Sequence, residues 1–286
     1  MSPVGVIGAS SFVGARLLVR LLEDQPSVIA FSRNAVNSAG PLGCAWRRLP
    51  AQPEGEIQHW VCVAPIWALP EHLPFLRACG ARRVVALSST SRFTKAGSAD
   101  AAEQAVSARL ASAEECLGRE CDRAGIELVI LRPTLIYGYG ADRNVSDIVR
   151  FVQRFGFFPV LGAATGLRQP VHADDVAAAC AAALRAPVGG GAYDLSGGET
   201  LPYRVMVERV FSALGRRSRI VEVPMALMRA AVPLARQLPR FRHLTLEMAH
   251  RMNRDLVFDH ARAARDLGFA PRPFVLTTDD IPASVL

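Results

Sequence analysis

Lysine is almost absent from this chain: Lys95 is the one lysine among 33 basic residues, and the other 32 are arginines. Any chemistry that requires a lysine ammonium must therefore use Lys95. The arginines are also unevenly distributed. Residues 201–272 contain 14 of them against six acidic residues, an excess of eight positive charges, whereas the rest of the chain is nearly neutral. This region is therefore expected to meet an anionic ligand or surface, or else to present a solvated arginine face.

Long apolar runs are missing as well, since no uncharged apolar stretch reaches the roughly 18 residues that a membrane-spanning helix needs. The six cysteines form no CxxC pair and the six histidines show no zinc-ligand spacing. The sequence therefore predicts reduced, buried thiols and no metal site. The first strand runs directly into a glycine-rich turn, which is not the pattern of a signal peptide. A cytoplasmic location is the expectation.

What the sequence does have is enough apolar residues, 50% of 286, to fill a core. In the first half, strand-like stretches at 2–7, 28–31, 57–64, 83–87 and 127–131 alternate with helix-like stretches at 12–22, 71–79 and 101–124. Such alternation predicts right-handed crossovers and a doubly wound parallel sheet, which is an α/β fold.

Other local patterns predict the remaining organisation of the chain. The stretch 40–55 has the composition of an irregular connection, and Arg132 and Pro133 are expected to stop the strand before them. Asp174 fits the N-cap of a helix over 174–184. Further helices are predicted over 202–214, 225–238, 244–252 and 260–267, and further strands over 193–195 and 220–223.

A glycine-rich turn joins the first strand to the first helix. Gly8 supplies the sharp turn, and Gly14 lets the helix pack closely on the strand. Ser11 stands where another glycine is usual, and its hydroxyl, with that of Ser10, can donate to a phosphate oxygen. Because a helix N-terminus favours anions, this context indicates a dinucleotide pyrophosphate site. The alternative is a tight turn without a ligand.

The second strand ends at Ser32 and Arg33 rather than at an acidic residue. An acid at this position would bind the ribose hydroxyls of NAD, whereas a hydroxyl and a guanidinium suit the 2′-phosphate of NADP. The pair favours NADP, with NAD as the alternative. A solvated Arg33 at a strand end is the other interpretation.

Five segments in order resemble the extended short-chain dehydrogenase/reductases, the NAD-dependent epimerase/dehydratases that act on nucleotide sugars. The segments are GASSFVG (8–14), VVALSSTS (84–91), LRPTLIYG (131–138), RQPVHADDV (168–176) and YDLSGG (193–198). The resemblance implies a Rossmann-type NAD(P)-binding domain over residues 1–199 and a smaller, mostly helical substrate lobe over 200–286. Residues 136–169 are expected to contribute to the lobe.

The resemblance also implies which residues meet the ligands. The cofactor contacts are expected at Gly8, Ser10, Ser11, Phe12, Gly14, Ser32, Arg33, Ala64, Pro65, Ser88, Pro133, Thr134 and Ile136. Substrate contacts are expected at Arg143, Asn144 and Arg168, of which Arg168 matches an arginine that commonly meets a substrate phosphate.

The chain departs from the family at the catalytic pair. The family's tyrosine and lysine lie four residues apart on the long helix, here 101–124, and that helix has neither. Thr90 matches the catalytic hydroxyl residue, and Tyr137 and Lys95 are the remaining candidates for proton transfer. Packing in the interior for Tyr137 and an exposed loop position for Lys95 are the alternatives.

Two functions from different classes therefore remain open. The first is an NADP-dependent oxidoreductase or epimerase that acts on a nucleotide sugar or similar anion through Thr90 with Tyr137 or Lys95. The second is a non-catalytic dinucleotide-binding sensor or an assembly subunit of a larger complex. Nucleic acid is not an expected partner, because no aromatic platform accompanies the arginines. Contact of residues 225–243 with an anionic membrane surface is a weaker alternative, and the oligomeric state stays open.

Overall fold

The computed structural model describes residues 3–24, 27–33, 44–53, 55–227, 229, 237 and 246–283. Its strands are β1 (Val4–Ile7), β2 (Val28–Ser32), β3 (Cys44–Arg48), β4 (His59–Cys62), β5 (Arg83–Leu87), β6 (Glu127–Pro133), β7 (Ile136–Tyr137), β8 (Phe158–Leu161), β9 (Leu167–Arg168), β10 (Val171–His172), β11 (Gly191–Leu195), β12 (Leu201–Pro202) and β13 (Ile220–Val223). Its α-helices are α1 (Phe12–Asp24), α2 (Leu69–Ala78), α3 (Ser91–Thr94), α4 (Ala101–Ala124), α5 (Val145–Phe155), α6 (Ala173–Arg185), α7 (Tyr203–Ala213), α8 (Leu246–Arg251) and α9 (Ala261–Leu267).

Seven of the strands form one sheet in the order β11–β6–β5–β4–β1–β2–β3, and every neighbouring pair is parallel. The strand order reverses direction between β1 and β4. In open sheets of this kind, ligands bind at the carboxyl ends of the strands beside such a reversal. The predicted α/β fold with a doubly wound parallel sheet is confirmed.

Helices cover both faces of the sheet. On one face, α1 and α6 bury residues such as Leu17 and Ala177 against Val6 and Val61. On the other face, α2 and α4 pack residues such as Leu117 against Trp60. Because the central strands are buried on both sides, their sequences are nearly continuous apolar runs, which is why the sequence pattern revealed them.

Helix α4 forms over the predicted residues. Asp100 caps its N-terminus by accepting hydrogen bonds from the Ala102 and Glu103 amides, and Gly125 ends it at φ 63°, a left-handed conformation that glycine adopts without strain. Apart from the adjacent pair Ala113 and Glu114, the buried side chains of α4 recur every three or four residues, the spacing of one helix face. They are Glu103, Ser107, Leu110, Ala113, Glu114, Leu117 and Cys121.

A third hydrophobic cluster lies outside the sheet. It brings Tyr137 together with Val149 of α5, Phe211 of α7 and the late residues Phe274 and Ile281. Beside it, β13 pairs with β8 in parallel. The segments that follow the sheet strands therefore share a core with the C-terminal part of the described chain.

Three local predictions are wrong. Residues 44–48 form edge strand β3 instead of an irregular connection, because a half-exposed strand carrying Arg47 and Arg48 lacks a clear apolar alternation. Strand β6 continues through Arg132 and Pro133, whose positions pair with Asp194 and Leu195 of β11. The N-cap of α6 is His172, whose Nδ1 accepts from the Asp174 amide.

Other elements differ in extent or were not predicted. Helix α5 and the short strands β7–β10 and β12 carry no strong pattern in the sequence. Most of the predicted helix 225–238 lies outside the described residues, as do residues 244 and 245 of the predicted helix 244–252. Within the described part of the chain, no helix is long and apolar enough to cross a bilayer, and no cluster of metal-ligating side chains occurs.

Candidate functional site

The phosphate turn, residues 8–14, lies between the end of β1 and the start of α1. Gly8 has φ 81°, and a Cβ at this position would lie 2.4 Å from the Ala64 amide nitrogen. A Cβ at Gly14 would lie 2.4 Å from the Gly8 carbonyl oxygen. Both glycines are therefore required by close backbone approach, as predicted from the turn motif.

Ser11 has a local role in this turn. Its Oγ accepts from the Gly14 amide at 3.1 Å, so it caps α1, and it lies 3.5 Å from the Val63 carbonyl oxygen to which it donates. Capping of this kind fixes the direction of the helix axis. Ser10, the other serine of the turn, is exposed.

Ser32, at the end of β2, meets the phosphate turn. Its Oγ is 3.2 Å from that of Ser10, and the side chain is buried. Arg33 follows it and is exposed. Five predicted cofactor residues, Gly8, Ser10, Ser11, Ser32 and Ala64, are thus brought together at the carboxyl edge of β1, β2 and β4.

The ends of β5 and β6 place a second group of predicted residues along the same edge. Thr90 is buried, and both its amide and its Oγ1 donate to the Pro133 carbonyl, at 3.1 and 3.2 Å. Thr134 Oγ1 donates to the Gln169 carbonyl. These hydrogen bonds join the segments that follow β5, β6 and β9 to one another.

A buried ion cluster lies beside these segments, and the sequence did not predict it. The Glu114 side chain, only 2% exposed, accepts hydrogen bonds from Ser88 Oγ and from the guanidiniums of Arg92 and Arg132. Burial alone would raise the pKa of Glu114, but the hydrogen bonds from Arg132 and Ser88 hold it below its ordinary value. Ser88, predicted to touch the cofactor, is thus directed at Glu114.

Helix α4 offers no phenol or ammonium to this site. At the position that the family resemblance assigns to the tyrosine or beside it, Ser107 Oγ donates to the Arg92 carbonyl. Lys95 is half-buried at the C-cap of α3. Its charge lies near Glu103, whose pKa is raised by burial but lowered overall, through hydrogen bonds from Arg251 and Ser98 and the charges of Arg251 and Lys95.

Tyr137 is directed into the third hydrophobic cluster. Its ring packs edge-on against His172 and Phe274, its hydroxyl lies 3.5 Å from the Val275 carbonyl oxygen, and none of the residue is exposed. Burial raises the pKa of Tyr137 to about 12. This arrangement is the packing role that the sequence left as the alternative.

The predicted substrate residues differ in their exposure. Arg168 is buried, its guanidinium donates to the carbonyls of Leu167, Arg251 and Arg254, and burial lowers its pKa to about 10. It therefore fastens the turn after α8 to β9. Arg143 and Asn144 are exposed at the start of α5.

A polar network next to the phosphate turn was also missed. Asp174 accepts from Tyr139 Oη and from Arg16 Nε, both at 2.7 Å, and the Arg16 guanidinium lies 4.1 Å from the centre of the Tyr139 ring. Tyr139 has φ 53°, a left-handed conformation that is uncommon for residues other than glycine. The network joins α1, α6 and the loop after β7, and the sequence signals only an acid at a helix start.

Comparison with known families supports the resemblance given by the motifs. Residues 73–196 match the model of the NAD dependent epimerase/dehydratase family. This span contains four of the five motif segments in whole or in part, and the phosphate turn precedes it. The predicted resemblance to this family is confirmed.

Two curated proteins are similar to about half of the chain. The uncharacterized protein y4nG of Sinorhizobium fredii (strain NBRC 101917 / NGR234) is 33% identical over 152 residues, which are 52% of this chain and 37% of that protein. The mitochondrial NADH dehydrogenase (ubiquinone) 1 alpha subcomplex subunit 9 of Arabidopsis thaliana is 30% identical over 156 residues, 51% of this chain and 39% of that protein. The chain matches less than two fifths of the length of either relative.

Solved structures share the fold over nearly the whole chain. The structure of gox2253 aligns with TM-score 0.71 and 16% identity, covering 96% of this chain and 94% of that one. The UDP-glucuronic acid 4-epimerase of Bacillus cereus in complex with NAD gives 0.69 and 14%, covering 97% and 95%. MoeE5 in complex with UDP-glucose and NAD gives 0.66 and 20%, covering 96% and 94%. At these identities the likeness establishes the fold.

Proposed function

We propose that this protein binds a dinucleotide, NADP in preference to NAD, along the carboxyl edge of β2, β1, β4 and β5. The observation that carries the proposal is the phosphate turn, where Gly8 and Gly14 leave no space for a Cβ and the first amides of α1 have no acceptor within the helix. The pyrophosphate would lie against these amides and Ser10. The 2′-phosphate would lie beside Ser32 and Arg33.

The chemistry of the surrounding residues fits such a ligand. The cradle is formed by backbone groups and small hydroxyl side chains, which can approach a pyrophosphate closely. A bound nicotinamide would supply hydride transfer. Ala64, Pro65, Pro133 and Thr134 lie at strand ends along the route that an extended dinucleotide would take from the turn toward β5 and β6.

Once a dinucleotide is bound, the geometry favours a non-catalytic role as a redox sensor or an assembly subunit. A proton relay needs a phenol or amine that can reach the reacting carbonyl. Tyr137 is enclosed in the third hydrophobic cluster, and α4 carries Ser107, whose hydroxyl donates to the Arg92 carbonyl, at or beside the position where the family resemblance expects the tyrosine. The name of the Arabidopsis thaliana relative, a subunit of NADH dehydrogenase, favours the assembly role.

Turnover is the second candidate, and the position of Thr90 favours it. The family resemblance and the names of the solved epimerases point to a nucleotide sugar or a similar anionic substrate. Thr90 Oγ1 would hold the substrate, and Lys95 would supply the charge that a phenol otherwise gives. Exposed Arg143 and Asn144 are available to such a substrate, whereas Arg168 would first have to release the carbonyls that it binds.

Titration of the purified chain with NADPH and NADH, followed by nicotinamide fluorescence, tests the binding proposal. We expect saturable binding that is tighter for NADPH. If neither NADPH nor NADH binds, both candidate functions are contradicted.

A panel of nucleotide sugars then separates the two roles. The non-catalytic role predicts no change in NADPH absorbance and no conversion of the sugars by the dinucleotide-bound protein. Conversion that is lost in Thr90→Val, which removes the hydroxyl and keeps the shape, would establish the second candidate instead. Lys95→Ala and Tyr137→Phe in the same assay show whether either side chain takes part.

A further inference from the structure

Three arginines lie where β2 and β3 end. In the register of these parallel strands, Arg48 is the partner of Ser32 and Arg47 is the partner of Phe31. The Leu49 amide donates to the Ser32 carbonyl at 2.9 Å, so the chain stays beside β2 for one residue beyond the strand. Arg33, which follows Ser32, and Arg48 are both exposed at this corner.

The alternation of side chains decides which arginine faces the phosphate turn. Residues two apart on a strand share a face, and partners on parallel strands lie on the same side of the sheet. Ala30 and Trp46, two residues before Ser32 and Arg48, both pack in the cluster under α1. Arg48 is therefore on the side of the sheet where the Ser32 hydroxyl meets that of Ser10.

Arg47 lies on the opposite side. It points toward the face covered by α2, where Phe31 packs, and its charge opposes the burial that raises the pKa of the Cys79 thiol. The two neighbouring arginines thus carry the same charge on the same strand but on different faces.

Within the residues that the structure describes, no carboxylate lies within 4.0 Å of Arg33 or Arg48. Two like charges at adjacent strand ends raise the local positive potential, which favours an anion between them. Guanidiniums present paired donors that match the oxygens of a phosphate.

We propose that Arg48 is a second residue that recognises the adenosine 2′-phosphate, acting with Arg33 from the neighbouring strand to select NADP over NAD. The inference rests on the dinucleotide binding proposed above and adds a specificity-determining residue that the sequence did not identify. Ser32, whose Oγ is 3.2 Å from that of Ser10, lies between the phosphate turn and this pair, so one ligand can span both.

The test compares Arg48→Ala with Arg47→Ala in the full chain, using NADPH and NADH with fluorescence detection. Loss of a charge-assisted contact is expected to raise the Kd for NADPH by about tenfold in Arg48→Ala. The Kd for NADH should change by less than about twofold, because NADH lacks the phosphate. Arg47→Ala removes the same charge from the opposite face and should leave both dissociation constants unchanged.

Further measurements make each outcome decisive. Adenosine 2′-monophosphate should compete with NADPH more strongly than adenosine 5′-monophosphate, and this difference should become smaller in Arg48→Ala, which retains Arg33. Thermal unfolding midpoints show whether the variants are folded, and Arg48→Gln replaces Arg48→Ala if the midpoint falls.

Three outcomes would overturn the assignment of Arg48 without contradicting dinucleotide binding. In the first, Arg48→Ala changes the Kd for NADPH and the Kd for NADH equally. In the second it changes neither, and in the third Arg47→Ala has the same effect as Arg48→Ala. Wild-type protein that binds NADH alone would also overturn the assignment. Wild-type protein that binds neither ligand would instead refute the proposed function itself.

Discussion

The Glu114 carboxylate has almost no access to water, and both of its oxygens accept hydrogen bonds from protein side chains. Two arginines and one serine donate to it: Ser88 directly after β5, Arg92 in α3 and Arg132 in β6. Burying a carboxylate is costly unless the charge is paired and hydrogen-bonded, and removal of one partner leaves the others uncompensated. Glu114 therefore orders the loops that carry Thr90 and Pro133.

We predict that Glu114→Gln lowers the free energy of unfolding by about 3 kcal/mol, because Arg92 and Arg132 would lose the buried carboxylate that both of them contact. The matched control is Glu115→Gln, one residue along the helix, whose side chain is 62% exposed and 3.8 Å from Arg92. Its effect should stay below about 0.5 kcal/mol. Urea denaturation of the two variants checks this, and equal midpoints would contradict the role given to Glu114.

The sequence predicted single residues well where backbone geometry alone determines their role. Gly8 and Gly14 are required by close backbone approach, and such positions leave a visible glycine. Tyr137 and Arg168 show the limit. Whether a phenol or a guanidinium faces a cleft or a core depends on distant partners, here Phe274 and the turn after α8, and no local pattern records those partners.

At the scale of elements, α4 has boundaries fixed by its own ends. The Asp100 carboxylate satisfies two amides that would otherwise lack acceptors, and it also complements the positive end of the helix dipole. Asp122 lies near the other end, where a negative charge is unfavourable. Asp100 and Asp122 therefore carry the same charge, which is favourable at the start of the helix and unfavourable near its end.

We therefore expect Asp100→Ala to destabilise the protein by about 1 kcal/mol. Asp122→Ala, an identical substitution in the last turn, should be neutral or slightly stabilising. Thermal unfolding at low and high salt measures both. A loss of stability of similar size in the two variants would show that the cap does not control α4.

Edge strand β3 shows why the sequence pattern does not predict every element of the fold. The central strands are buried on both faces and appear as apolar runs, whereas β3 has one neighbour and half-exposed side chains. Two of its five residues are arginines, which interrupt the apolar pattern that marks a strand in the sequence. β6 was cut short for a related reason, since Arg132 serves the ion cluster and Pro133 ends the strand without needing a donor.

On the scale of the whole molecule, the carboxyl ends and the amino ends of the sheet strands have different roles. The carboxyl edge holds the candidate ligand site. At the amino edge, Arg83 donates to the carbonyls of Ala183, Ala186 and Val188 and pairs with Glu127, so it joins the starts of β5 and β6 to the end of α6. Its side chain is 10% exposed.

We predict that Arg83→Ala lowers the free energy of unfolding by about 3 kcal/mol, since buried carbonyls lose their donor. The Kd for NADPH, measured well below the unfolding temperature, should not change, because strands of this length separate the two edges by about 15 Å. Arg82→Ala, its exposed neighbour, serves as the control for charge. Weakened NADPH binding in folded Arg83→Ala would contradict this separation.

The packing of residues 274–281 against the middle of the chain has a consequence for the order of events during synthesis. The carboxylate of Asp280 meets His172 across 108 positions, and Phe274 covers the ring of Tyr137. All seven strands of the main sheet, by contrast, are complete by Leu195. A nascent chain can therefore finish its sheet before Phe274 covers the Tyr137 ring, and the third hydrophobic cluster is complete only when the last described segment leaves the ribosome.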